Sequence, residues 1–230
     1  MSRHSTPEQV EQQYVEAMGP EPGRLFYLLW NECAWLHSKW GEYVTLFGSK
    51  PERIDLLNAA AALFFRIVQD SLWEDILLHI ARLTDPPRSA GKDNFSLQRL
   101  PPIVDAKIQP CVKELLKTCI AKCKFAHDWR NRQIAHRDLL LALNKNIGPL
   151  APASRRAVGE AIDSIAELLN TVELHYLRST VAYGSLVGPP SNAEVLLYVI
   201  RDGLEADARR RKRLESGNLE PEDLNPLPTI

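Results

Sequence analysis

Strand signals are nearly missing from this sequence. No long segment alternates apolar and polar residues, which argues against a β architecture. Cysteine is scarce: four in 230 residues, at Cys33, Cys111, Cys119 and Cys123. Three of them sit in segments with helical periodicity, so a disulfide framework is not expected. The longest apolar stretch, Leu56 to Val68, is interrupted by Arg66 and is too short to span a bilayer. The polar N-terminal segment has no apolar core of the signal-peptide kind, and the expected location is cytoplasmic. An excess of charge of either sign is also missing. Lys and Arg total 28 against 29 Asp and Glu, a formal net charge of −1. No global field therefore draws the protein to nucleic acid or to an anionic membrane, and any nucleic-acid site must be a local basic patch. There is no Gly-rich phosphate loop, zinc-protease motif, nucleophile elbow or di-metal Glu-x-x-His pattern.

Helix punctuation, by contrast, recurs. Thr6-Pro7-Glu8-Gln9 reads as a capping box with proline in the first turn, opening a short helix that ends near Gly19. An aromatic-rich helix is expected from Gly23 to Phe47. Ser49-Lys50-Pro51-Glu52 is a second capping box, and the helix it opens should run to about Thr84, roughly 50 Å at 1.5 Å per residue, as one long central spine. Leu56, Ala60, Leu63 and Ile67 form one apolar stripe on it, and Trp73, Ile76, Leu77, Ile80 and Leu83 another. Asp85-Pro86-Pro87 ends it and a polar loop follows. Further helices are predicted over about 103–127 and 131–143, then a turn over 144–152. Val158, Ile162, Ile165, Leu169, Val172 and Tyr176 then repeat at alternating spacings of four and three, a bundle-type seam. After Gly188-Pro189-Pro190 a last helix is expected, capped by Ser191 with Glu194 three residues on. The expected organisation is an N-terminal arm over 1–22, a single helical domain over 23–215 and a disordered tail over 216–230. The fold class is all-α, an antiparallel helical bundle with no sheet.

The segment richest in chemistry is His127-Asp128-Trp129-Arg130-Asn131-Arg132-Gln133-Ile134-Ala135-His136-Arg137-Asp138. Trp129, Ile134 and Ala135 are expected to anchor it to the core, fixing its polar groups. On a continuous helix Arg130 and His136 would point about 120° apart, whereas Arg132 and His136 would share a face. Either a helix starts near Asn131 as N-cap, leaving Arg130 beside its positive end, or the partner groups come from a second subunit.

Arg130-Asn131-x4-His136 is similar to the Arg-x(4–6)-His signature of HEPN proteins. LLWNECAWLHSKW, RIDLLNAAAALFFRIVQDSLWEDILLHIARLTDPP and DWRNRQIAHRDL resemble the abortive-infection, AbiU-type branch of that superfamily, over about residues 24–213. The resemblance implies a helical bundle that is dimeric when active, with the two arginine–histidine pairs facing across the dimer cleft, and metal-independent RNA cleavage with no cofactor. Transferred here, His136 is the general acid/base, suited by an ordinary pKa of about 6.5. Arg130 holds the scissile phosphate, Asn131 orients the segment or bonds the phosphate, and Arg132 and Arg137 add backbone contacts. A phage-defence or toxin–antitoxin effector with a cognate antitoxin fits this pattern. So does the alternative found among HEPN relatives, a non-catalytic module that dimerises and binds a partner protein or nucleotide.

Other clusters carry weaker signals. Cys119, Cys123 and His127 share a helix face, and core packing explains the thiols better than a metal site. Trp73-Glu74-Asp75-x3-His79-x2-Arg82-x2-Asp85 places polar groups on an otherwise buried helix; Asp75, His79 and Arg82 share a face, as an internal ion-pair network or as support for the cleft beside Arg130 and His136. Arg209 to Arg213 form the only basic run, explained by a helix C-terminus or by RNA-backbone binding. Trp30, Trp35 and Trp40, five apart, cannot form one stripe, and some are expected at a subunit interface.

Overall fold

The computed structural model describes residues 6–48, 50–89, 91–135, 139–143, 149–185 and 192–224. Helices dominate them, as expected: α1 (Pro7–Met18), α2 (Pro20–Phe47), α3 (Pro51–Leu83), α4 (Gln109–Trp129), α5 (Leu139–Ala142), α6 (Arg155–Leu177) and α7 (Ala193–Ser216). The chain divides into two compact units, residues 1–41 with 71–187 and residues 42–70 with 188–230.

In the first unit the capping box of α1 is formed: the Gln9 amide donates to Thr6 Oγ1, and the Thr6 amide donates to Gln9 Oε1. Gly19, at φ 93°, ends the helix. α2 then starts at Pro20 rather than Gly23, because proline at a first helical position needs no N–H partner. Gly23 lies where the two helices meet, and a Cβ there would stand 2.3 Å from the Tyr14 carbonyl oxygen. Only glycine admits that approach. Tyr14 is buried and donates its hydroxyl to Glu173 of α6 at 2.6 Å.

The α6 seam is buried at Val158, Ile162, Ile165, Leu169 and Val172. Tyr176, half-buried, accepts from the Asp105 amide instead. α6 packs along α4, where Cys119 and Cys123 are buried as free thiols. α4 begins at Gln109, later than the expected 103, because residues 100–108 form successive turns closed by Leu100 and Asp105 carbonyls. The second stripe of α3 is buried at Ile76, Leu77, Ile80 and Leu83.

After α3 the expected absence of a sheet is corrected. Arg88–Ser89 (β1) pairs antiparallel with Lys92–Asp93 (β2), closed by Gly91 at φ 78°. The hairpin carries no apolar alternation because both strands are exposed. Polar anchors hold it instead: Asn94 donates to the Pro86 carbonyl and Ser89, and Arg99 donates to the carbonyls of Pro87 and Asn94.

In the second unit Leu46, Leu57, Phe65, Ala193 and Leu197 form a small core. The uninterrupted spine is corrected here, since Ala61 leaves helical geometry within α3 at φ −163°, ψ 72°. The expected first stripe is not the buried one: Leu63 and Ile67 are exposed at 75% and 57%, while Leu57 and Phe65 are buried. Residues 58–64 are exposed on every side, so no packing enforces a continuous helix through them. α7 is capped by Asn192, whose side chain accepts from the Val195 amide, and Glu42 accepts from the Ala193 amide at 2.6 Å. Beyond Ser216, Pro221–Leu224 form a 3-10 turn in which Asp223 accepts from Arg213, an interaction that holds the carboxyl down to about 2. Ser49 and Ser191, the expected caps, lie outside the described residues, as do the breaks at 144–148 and Gly188-Pro189-Pro190.

Candidate functional site around Arg130

The segment expected to open a new helix instead prolongs an old one. Arg130 keeps right-handed helical geometry at φ −56°, ψ −50°, and its amide donates to the carbonyls of Ala126 and His127. Arg130–Ile134 then form a π-helical turn, closed by the Ala135 amide on the Arg130 carbonyl at 2.8 Å. Asn131 is therefore not an N-cap, and Arg130 stands at the C-terminal end of α4. There the helix dipole does not favour an anion, so any phosphate must be held by side chains. Single π-turns within helices concentrate at functional sites.

Three chain segments meet at Arg130. Its Nη1 donates to Asp85 Oδ1 at 2.6 Å, and its Nε donates to Asn131 Oδ1 at 3.0 Å. Asp85 comes from the end of α3 and is four-fifths buried. The same Oδ1 lies 3.6 Å from His127 Nδ1, and His127 Nε2 lies 2.9 Å from Thr84 Oγ1. Burial, then the neighbouring Arg130 charge, lower the His127 pKa, opposed by the Asp85 carboxylate. The ring is neutral at neutral pH.

Beside Asp85 opens a cavity of about 310 Å³ lined by Glu32, Arg82, Leu83, Asp85, Asn94 and Phe95. Its far wall belongs to the expected α3 network, which reaches α2. Glu32 Oε2 stands 2.7 Å from His79 Nε2, close but not aligned as a hydrogen bond, and Lys39 pairs with Asp75 at 2.6 Å. His79 is fully buried, and its pKa falls to about 4, chiefly by desolvation and the Lys39 charge against the pull of Glu32.

On the other side of the π-turn, Asp128 and Trp129 grip the returning chain. The Trp129 indole donates to the Ala151 carbonyl, and the Ala151 amide donates to Asp128, both at 2.8 Å. Arg132 faces Asp128 at 3.4 Å and donates to the Pro149 carbonyl. Trp129 thus anchors the segment as expected, Ile134 is half-buried, and Ala135 is exposed rather than buried. His136 and Arg137, with Asp138, lie outside the described residues.

Sequence reasoning missed Thr84 altogether, and it placed Asp85 only at the end of the polar run of α3, as support for the cleft, without its bond to Arg130. The signal for the pairing was the polar Thr-Asp pair directly after a buried helix. His127 was weighed with the cysteines of its face, but its ring turns to α3 while Cys119 and Cys123 pack inward.

Residues 20–194 match the family HEPN_AbiU2, described as AbiU2. The match covers well over half of the chain and includes α2, α3, α4, the π-turn and α6. The molecule is thus a HEPN protein of the abortive-infection type. The chain belongs to the AbiU2 family. No curated protein and no solved structure is matched. Among the described residues no helix is long and apolar enough to cross a membrane.

Proposed function

We propose that this protein is a metal-independent endoribonuclease of HEPN type, an antiparallel bundle acting as a cytoplasmic homodimer in phage defence or opposite a cognate antitoxin. Arg130 holds the scissile phosphate and offsets charge developing in the transition state. His136 is the general acid/base. Asn131, Arg132 and Arg137 add contacts to the phosphate backbone, and Arg130 and His136 face their symmetry mates across the dimer cleft.

The observation that supports this reading is the fixed guanidinium of Arg130, gripped by Asp85 at 2.6 Å beside a π-turn, within the span matched by the family. The test is incubation of the purified protein with structured and unstructured RNA, tRNA included, in chelator. Cleavage is expected from the wild type and is lost in His136→Ala and Arg130→Ala. Cleavage surviving both substitutions removes the mechanism. In a structure of the dimer, the two His136 rings are expected within about 10 Å of each other, close enough for shared chemistry.

One observation favours the second reading, a non-catalytic module that binds a partner protein or nucleotide. The Arg130 guanidinium already has a carboxylate partner, as structural arginines do. Absence of cleavage on every RNA favours that reading.

A further inference from the structure

The cavity beside Asp85, about 310 Å³, is of the size that small ligands fill, and it opens to solvent. Arg82 and Phe95 on its wall are 56% and 41% exposed. Phe95 follows the hairpin directly, held between the anchored Asn94 and the buried Ser96. Its ring meets no other aromatic ring among the described residues, so a planar ligand can lie against it. The other polar groups of the wall are acceptors. Asn94 gives both amide hydrogens away, to the Pro86 carbonyl and Ser89 Oγ, so its side chain has only an acceptor left to offer. Asp85 commits Oδ1 to Arg130, and Glu32, from α2, turns Oε2 to His79. Lys39 can only donate, and it meets His79 Nδ1 at 3.5 Å, so the buried imidazole carries its proton on Nε2. That N–H lies 2.7 Å from Glu32 Oε2 without the alignment of a hydrogen bond, and it has no other partner among the described residues. Glu32 Oε1 has no hydrogen-bond partner there either. The side-chain donor on the wall is Arg82, 3.7 Å from Glu32.

We infer that this cavity is the base-recognition subsite of the RNA site, taking a guanine of single-stranded RNA against Phe95 with its pairing edge on Glu32. The inference rests on the RNA reading above and names the base that the strand presents. Among the RNA bases only guanine carries two adjacent N–H donors on its pairing edge, at N1 and N2, with an acceptor, O6, beside them. The Glu32 carboxylate accepts from that pair, and Arg82 donates to O6. Uracil sets one donor between two acceptors, and adenine and cytosine set one amino group beside a ring acceptor. Each of these turns a lone pair toward the carboxylate. The carboxylates of Glu32 and Asp85 repel a phosphate from the cavity itself, which leaves it to Arg130. Asp85 lines the cavity and holds Arg130 at 2.6 Å, so the base and the phosphate are neighbours along one strand.

The test is calorimetric binding of guanosine, adenosine, cytidine and uridine 3′-monophosphates at pH 7, which needs no cleavage. The wild type is expected to hold the guanosine nucleotide at least about tenfold more tightly than the other three. Glu32→Gln keeps the shape but exchanges an acceptor oxygen for an amide donor. It is expected to lose that preference while binding the other three as before. Phe95→Ala is expected to weaken all four by about tenfold, with folding of each variant checked by circular dichroism. Equal binding of the four nucleotides by the wild type, binding of none, or an undiminished preference in Glu32→Gln overturns the inference. Cleavage in chelator judges the RNA reading separately. RNA cut equally beside all four bases leaves that reading standing and overturns the inference. Guanosine-selective binding that is lost in Glu32→Gln, with no RNA cut, upholds the subsite and removes the nuclease.

Discussion

Asp85 and Arg130, 45 residues apart in sequence, are joined by a 2.6 Å hydrogen bond between the end of α3 and the end of α4. Each is about four-fifths buried, so water screens the pair weakly. The carboxylate also favours the charged form of His127.

Asp85→Asn removes that charge while keeping a similar shape. The His127 pKa, already low, is expected to fall further, readable by NMR titration of the ring. The amide also grips Arg130 less firmly, and a loss of about tenfold in cleavage rate is expected. A His127 midpoint that rises in this variant contradicts the electrostatic arrangement described.

Tyr14 and Glu173 make a buried bond from α1 to α6, and burial pushes the Glu173 carboxyl up. Tyr14→Phe leaves Glu173 Oε2 without its donor, while Ser179 still donates to Oε1. A loss of about 1–3 kcal/mol is expected in urea unfolding, the cost of an unsatisfied buried acceptor.

Gly23→Ala places a methyl group against backbone, not against a flexible side chain that could move aside. A loss of at least ~2 kcal/mol is expected, measured by thermal or urea unfolding. Gly41, also in α2, has nothing within 4 Å of its missing Cβ. Gly41→Ala is expected to stabilise by about 0.5–1 kcal/mol through helix propensity. Equal effects at the two sites contradict the close approach of α1 and α2.

His79 gives the fold its acid sensitivity. Its folded pKa of about 4 lies below the ordinary value of 6.5. Between these values the unfolded chain binds the proton that the folded chain refuses, so stability is full above about pH 6.5 and falls as pH drops toward 4. The urea midpoint is expected to decline across that window in wild type. In His79→Leu this component of the decline is absent.

The arrangement of helices was legible because core-facing residues repeat at helical spacing wherever they pack, as in Val158 to Val172 and Ile76 to Leu83. Periodicity failed at Leu63 and Ile67 because a stripe of apolar residues reads the same whether or not anything covers it. The hairpin at 88–93 was invisible because polar side chains and one glycine hold it, not an apolar face. At the site, Arg130 stood out through its family pattern. Its bond to Asp85 did not, since a pairing across 45 positions leaves no mark in local spacing. The π-turn, a single extra residue per turn, likewise leaves no periodic trace strong enough to separate it from an α-helix ending at Trp129.

Four guanidinium groups of the basic run on α7 already face carboxylates of their own neighbourhood. Arg210 and Arg211 share Asp207, Arg209 reaches Glu205, and Arg213 is bound to Asp223. A phosphate arriving at a guanidinium so occupied must first displace a carboxylate, so little of the RNA charge is neutralised there and few of the cations condensed on the RNA are released. Binding of RNA should therefore follow the logarithm of potassium chloride concentration with a shallow slope, close to the one or two phosphates that Arg130 and its neighbours can hold, and replacing Arg209 to Arg211 by glutamine should leave that slope unchanged.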